Sequence, residues 1–363
     1  MVLESILFFL MFMIVAQLLL GVCTFPFMLM LNKQFFHCEK AKILTYTFGF
    51  NVVYMIIFIF SRLISVEITR ISSYYLGIMA VAFTVSFIYW MLNVFLWVFR
   101  ARELLDFKFV KYFFSLSFIF LVILSIYNFE KPLAVESYSI NSSKLDRDYK
   151  FVQISDIQYG TVNQEYMENV LDLALAQNPE FIVFTGDLID FEKYEKEDFD
   201  KFKTLGVPVY FERGNHEFYH FPDKIFEYLS DIETITVLNN KKVNFGELEI
   251  VGIDYERSND LFKDYLNGIK LDDDKFSMLL YHEPRNVEFA AGYGFDLLLY
   301  GHTHGGQIFP ATLIVDLMYD YSDGFYEIFD TFVYVTDGAG LWGPKMRLGS
   351  QNEIVVFNLK KTK

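Results

Sequence analysis

The sequence predicts four membrane-spanning helices followed by an α/β domain. Three observations carry this reading. Residues 1–129 contain 9 of the 31 Lys+Arg and 5 of the 46 Asp+Glu, a local balance of +4, whereas residues 130–363 balance at −19. The first part is dominated by four long apolar runs, roughly 5–31, 43–66, 74–99 and 107–128. From about residue 149 the pattern changes to short apolar strands alternating with helical spacing.

Each apolar run exceeds the roughly 20 residues a helix needs to cross the hydrocarbon core. A signal peptide has a short apolar stretch behind a basic flank; here the first run is long and only Glu4 precedes it. Basic residues mark cytoplasmic loops. The first loop carries Lys33, Lys40 and Lys42, and the third carries Arg100 and Arg102 with Lys108 and Lys111 beside it. Those loops lie on one side of a four-helix topology, so the acidic domain is expected on the extracytoplasmic side of a multi-pass cell-membrane protein. The runs contain almost no ionisable residues, which disfavours a transport pathway. Asn51 and Asn93 are the main polar exceptions and suit interhelical hydrogen bonds.

Residues 130–148 read as a linker and entry segment, and 149–363 as the second domain. Strands are expected at 149–154, 181–185 and 208–211, with helices at 164–176 and near 222–230. Later strands are expected at 248–252, 277–281, 295–300, 332–336 and 353–358. Such alternation argues for α/β layering with ligands at the carboxyl ends of strands.

Those strand ends hold the chemistry. Five of them lead into Ser155-Asp156-Ile157-Gln158, Gly186-Asp187, Gly214-Asn215-His216-Glu217, His282-Glu283 and Gly301-His302-Thr303-His304. Imidazole, carboxylate and amide donors without thiolate suit divalent Mn, Zn or Fe. In an extended loop, positions i and i+2 point the same way, so both imidazoles of His-Thr-His can reach neighbouring metals. Both cysteines, Cys23 and Cys38, precede the acidic domain, which excludes Cys-ligated metal there. An acidic domain is also a poor partner for a polyanion, so nucleic acid is not expected to bind.

The ordered set Asp156-x-Gln158, Gly186-Asp187, Gly214-Asn215-His216-Glu217, His282 and Gly301-His302-Thr303-His304 resembles the calcineurin-like metallophosphoesterases. The run on to Gly305-Gly306-Gln307-Ile308, and the tail Val335-Thr336-Asp337-Gly338-Ala339-Gly340 through Arg347-Leu348-Gly349, look like the YkuE/YaeI-type branch and the transmembrane proteins carrying such a domain. The resemblance implies a two-sheet β-sandwich flanked by helices. It also implies two divalent metal ions, Mn or else Fe or Zn. Asp156, Gln158, Asp187 and His304 would hold the first, and Asp187, Asn215, His282 and His302 the second, with Asp187 bridging. His216 would face the substrate. The implied reaction is hydrolysis of a phosphate ester or diphosphate by a metal-bridged hydroxide.

Gln158 departs from the common pattern, where His occupies that position. An amide oxygen ligates more weakly than imidazole and favours harder cations such as Mn over Zn. The rival expectation is therefore a catalytically weak or silent membrane sensor of a phosphorylated ligand with an incomplete metal site. Tethering at a bilayer suggests a lipid or other membrane-associated phosphate as substrate. His220 reads as a surface-loop residue, the run Glu192, Glu195, Glu197, Asp198 and Asp200 as a solvated helix start, and Asp272-Asp273-Asp274 as a turn. Glu217 is expected to orient its loop, and Trp342 and Arg347 either to rim the site or to pack.

Overall fold

The computed structural model describes residues 2–362 apart from 191–193, 220–221 and 256–257; side chains 2–16, 62–63, 111, 219 and 222–225 are likewise outside the description. Glu192 and His220 therefore lie outside the described residues. The chain divides into two compact units. One holds 1–130 with 308–311 and 343–348, and the other holds 131–307, 312–342 and 349–363.

The first unit contains α1 (Val2–Leu31), α2 (Lys40–Ile64), α3 (Val66–Val98) and α4 (Lys108–Glu130). All four are long and apolar enough to cross a membrane. Helix α3 begins eight residues before its apolar run because Ser65 caps it, accepting from the Glu67 and Ile68 N–H groups. Asn51 does bond between helices: its Nδ2 donates to Thr24 Oγ1 at 2.9 Å, and Tyr75 Oη donates to its Oδ1 at 2.5 Å. The two later segments pack inside this unit, with Ile308 and Met346 buried against Val81. Thr84 Oγ1 donates to the Phe309 carbonyl at 3.3 Å, and Arg347 N donates to the Ser125 carbonyl at 2.8 Å.

The second unit is built on two six-stranded sheets. Its strands are β1 (Ala134–Ser142), β2 (Tyr149–Ile154), β3 (Phe181–Thr185), β4 (Val209–Glu212), β5 (Ile235–Val237) and β6 (Lys241–Phe245). They continue as β7 (Leu248–Gly252), β8 (Phe276–Leu280), β9 (Leu297–Tyr300), β10 (Gly324–Ile328), β11 (Thr331–Val335) and β12 (Glu353–Lys361). The sheet orders are β1-β12-β2-β3-β4-β5 and β10-β11-β9-β8-β7-β6. Strands β2 to β5 run parallel, as do β7, β8, β9 and β11, so their carboxyl ends share an edge within each sheet. Residues 134–142, within the segment read as linker and entry, form β1, paired in parallel with β12 from Ala134–Glu353 to Ser142–Lys361. Its half-buried alternation is that of an edge strand, so no continuous apolar run marked it.

Alternate residues of the two sheets face each other, with Phe151, Phe181, Val183 and Phe357 from one and Ile250, Met278, Leu280 and Leu299 from the other. In the second sheet the intervening Val251, Leu279, Leu298 and Val333 pack with Phe262, Leu266, Ala290 and Ala291 of helices on its outer face. The helices are α5 (Gln164–Ala176), α6 (Asn215–Tyr219), α7 (Pro222–Ser230), α8 (Asn259–Asn267), α9 (Val287–Gly292) and α10 (Ala311–Met318). Helix α5 buries Met167, Val170, Leu171 and Ala174, the i, i+3, i+4, i+7 face of an amphipathic helix. Glu195 and Asp198 form a capping box at the start of the short 3-10 turn 196–204, as an acidic helix start should.

Candidate metal centre

Each parallel strand hands its next residues to the shared edge. Beyond β2, Asp156 N donates to the Gly186 carbonyl at 3.0 Å and Gln158 N to the Asp187 carbonyl at 3.0 Å, so the first two loops are stitched together. Asp156, Gln158, Asp187, His302 and His304 all adopt positive φ, between 51° and 76°. This region costs a non-glycine residue about 1–2 kcal/mol, and the surrounding hydrogen bonds hold it. At Gly301 the approach is so close that a Cβ would fall on Ser155 Oγ and Asp156 Oδ2, and at Gly214 it would fall on the Asp187 carboxylate. Glycine there lets the loops close on one point.

The loops bring the expected residues together. Asp187 Oδ2 lies 3.2 Å from His282 Nε2 and accepts from Gln158 Nε2 at 2.8 Å, and Asp187 Oδ1 accepts from His216 N at 2.9 Å. Asn215 Oδ1 is 3.0 Å from His282 Nε2 and 2.7 Å from His302 Nδ1. Ligand atoms of Asp187, His282 and His302 all lie within 4.8 Å of one another. His304 Nε2 is 3.5 Å from Asp156 Oδ1. The donor set fits divalent cations, and one atom tests the fit. Gln158 Oε1 is buried and has no hydrogen-bond partner, which is costly for a carbonyl oxygen unless a cation or water meets it.

Further residues support the candidate ligands, and of their roles only that of Glu217 was legible in the sequence. His282 Nδ1 donates to the Thr185 carbonyl at 2.7 Å, which turns Nε2 toward the site. Ser155 Oγ donates to Asp156 Oδ2 at 2.5 Å. Glu217 does orient its loop, accepting from Asp187 N at 2.9 Å, Gly214 N at 2.8 Å and Ile189 N at 3.0 Å. His216 Nδ1 lies 2.9 Å from Asp190 Oδ1, and the spacing of Asp190 three residues after Asp187 was its only sequence signal. His302 Nε2 lies 3.7 Å from Glu283 Oε1, which accepts from Tyr319 Oη and Arg285 Nε at 2.7 Å each.

Buried opposite charges set the protonation states. Burial opposes the charged form of His216, yet Asp187 and Asp190 lift its pKa to about 9. Burial also resists ionisation of Asp187, and His282 and His216 overcome it, holding the carboxyl well below its usual range. Burial and the charge of His282 push His302 down to about 3, so its imidazole is neutral and available as a ligand. A cavity of about 270 Å³ opens on this group, lined among others by Asp187, His216, His302, His304, Gln307 and Trp342. Trp342 is thus at the rim, whereas Arg347 is fully buried and belongs to the helical unit.

Residues 149–306 match the sequence pattern of the calcineurin-like phosphoesterases. An uncharacterized metallophosphoesterase of Campylobacter jejuni is 33% identical over 256 residues, covering 68% of each chain. The chain belongs to the calcineurin-like phosphoesterase family. The Bacillus subtilis metallophosphoesterase YkuE is 30% identical over 256 residues, 64% of this chain and 88% of its own. A Danio rerio transmembrane protein with a metallophosphoesterase domain is 30% identical over 276 residues, 68% of this chain and 62% of its own length. The family is one of metal-dependent phosphoester hydrolases, and its transmembrane relatives accord with the four apolar helices.

Proposed function

We propose that this phosphoesterase-family protein is an integral-membrane enzyme with two divalent cations, acting on membrane-associated phosphate esters or diphosphates. The observation that carries the reading is the convergence of five strand-end loops on Asp187, with Gln158 Oε1 left as a buried, unpartnered donor. In this assignment Asp156, Gln158, Asp187 and His304 hold one cation, and Asp187, Asn215, His282 and His302 hold the other. Bound there, the cations would activate water and neutralise charge on the phosphoryl oxygens. The harder amide oxygen of Gln158 favours Mn.

The protein's own groups do the rest. The Thr185 carbonyl fixes the orientation of the His282 ring, and Glu217 grips three backbone N–H groups of the loops that carry Asp187 and Asn215. His216, protonated at neutral pH and held by Asp190, is placed to give a proton to the departing oxygen.

The deciding experiment is an activity screen on detergent-solubilised protein with Mn, Fe and Zn against phosphomonoesters, phosphodiesters and lipid diphosphates. Turnover that disappears in Asp187→Asn supports an enzyme; wild-type protein that binds phosphate ligands without turnover would indicate a sensor. We place the phosphoesterase domain on the extracytoplasmic side from the loop charges; a reporter fused after Lys363 that is active only in the cytoplasm would refute that placement.

A further inference from the structure

Trp342 ends a stretch of chain whose backbone is tied to two of the loops that carry candidate ligands. Ala339 N donates to the Ser155 carbonyl at 2.8 Å, and Gly340 N donates to the Asp156 carbonyl at 2.9 Å. Tyr166 Oη donates to the Ala339 carbonyl at 2.7 Å. At Gly340 the approach is so close that a Cβ would fall on the Ile157 carbonyl oxygen. Two residues on, Trp342 N donates to Gln307 Oε1 at 3.1 Å, and Gln307 N donates to the His304 carbonyl at 3.0 Å. The stretch is thus joined to the loop of Asp156 at one end and to the loop of His304 at the other.

A backbone held in this way leaves its side chains little choice. Leu341 is fully buried, whereas Trp342 is 46% exposed. Single exposed apolar residues are common on any protein surface. This one differs because it lines the cavity that also holds Asp187, His216, His302 and His304. Its main chain cannot withdraw it from that position without breaking the bonds to Gln307 and to the Asp156 loop.

The occupant follows from how the cavity divides its chemistry. Its imidazole and carboxylate groups suit cations and the phosphoryl group the cations would hold. Val315 and Trp342 are the apolar side chains of the lining, and neither can serve a phosphate oxygen through charge. They suit the organic group esterified to it. With His216 placed to protonate the departing oxygen, whatever that oxygen carries has to lie in this cavity or at its mouth. An indole presents a broad π-face, which pairs best with another flat ring in an offset or edge-on arrangement.

We infer that Trp342 is a substrate-binding, specificity-determining residue, and that the organic group beside the scissile phosphate presents a flat, apolar face such as an aromatic ring to its indole. The inference deepens the phosphoesterase reading above and rests on it. Esters with an aryl group in that position are preferred over methyl esters and over inorganic diphosphate.

The test uses phenylphosphonate and methylphosphonate, which share one phosphorus head group and carry it on a carbon that hydrolysis does not release. Each is titrated calorimetrically into the detergent-solubilised full chain loaded with Mn. Wild-type protein should bind phenylphosphonate about tenfold or more tightly than methylphosphonate, the scale expected of one stacked ring. Trp342→Ala should bring that ratio close to one, and Trp342→Phe should keep most of it. Equal affinities in wild type would overturn the inference, as would a ratio that Trp342→Ala leaves unchanged, the result expected if the indole only stabilises the loop. In either case binding of methylphosphonate with Mn leaves the phosphoesterase reading standing. If neither phosphonate binds with Mn, Fe or Zn, that reading and the role of Trp342 fail together.

Discussion

Gln158 Nε2 donates to Asp187 Oδ2 at 2.8 Å, and that bond turns the amide oxygen into the buried interior of the site with no partner. The residue that departs from the family pattern is thereby oriented like a ligand by the residue that joins the two groups of donors. Its removal should weaken one cation and spare the other. Gln158→Ala is expected to lower the affinity for one of two Mn equivalents by about 10–100-fold, read by calorimetric titration and metal analysis. Gln158→His should restore two equivalents and shift preference toward Zn. Two equivalents of unchanged affinity in Gln158→Ala would show that the amide is a bystander.

The pH dependence of turnover should report His216. Its pKa is lifted to about 9 by Asp187 and Asp190 against the effect of burial. A proton donor works below its pKa, so activity should fall on the alkaline side of the pH profile. Asp190→Asn removes one raising charge and should move the alkaline limb of the kcat/KM profile down by about one unit. His216→Gln should cost roughly 10²–10⁴-fold in kcat. An alkaline limb that stays put in Asp190→Asn would mean another group supplies the proton.

Glu217 accepts three backbone N–H groups with two carboxylate oxygens. A glutamine has only one acceptor oxygen, so either orientation of its amide sets an NH₂ against an N–H. Glu217→Gln is therefore expected to destabilise the fold by about 1–3 kcal/mol and to reduce turnover by loosening the loops of Asp187 and Asn215. A lower thermal unfolding midpoint checks the first effect, and kcat at saturating Mn checks the second.

Glu353, at the start of β12, accepts from Thr336 Oγ1 at 2.7 Å and Tyr334 Oη at 2.8 Å. Burial, with help from the charge of Asp337, raises its pKa from the usual carboxyl range to about 7. Because the folded value lies above the unfolded one, this group's stabilisation is complete below the unfolded pKa and is lost as pH rises toward 7. The loss is roughly 1.4 kcal/mol per pH unit within that window. Glu353→Gln, which stays neutral, should flatten the decline in unfolding temperature between about pH 5 and pH 7.5; a decline identical to wild type would assign it to other groups.

Much of the site could be read along the chain because its candidate ligands follow parallel strands. A buried strand such as Phe181–Thr185 announces itself as an apolar run, and the residues after it are the ones delivered to the sheet edge. Edge elements gave no such signal. Residues 134–142 alternate half-buried and exposed positions, and their pairing with β12 joins segments more than 200 residues apart.

By itself the sequence determined the four apolar helices, the alternating strands and the order of Asp156, Gln158, Asp187, Asn215, His216, His282, His302 and His304. These follow from composition, periodicity and local residue type, which are properties of neighbouring positions. Only the tertiary structure decided how those residues are held: the Thr185 carbonyl on His282, Asp190 on His216, Glu283 on His302, and the Gln158 oxygen left without a partner. Each depends on hydrogen bonds or burial between segments distant along the chain, and such contacts exist only once the two sheets have brought their loops to one edge.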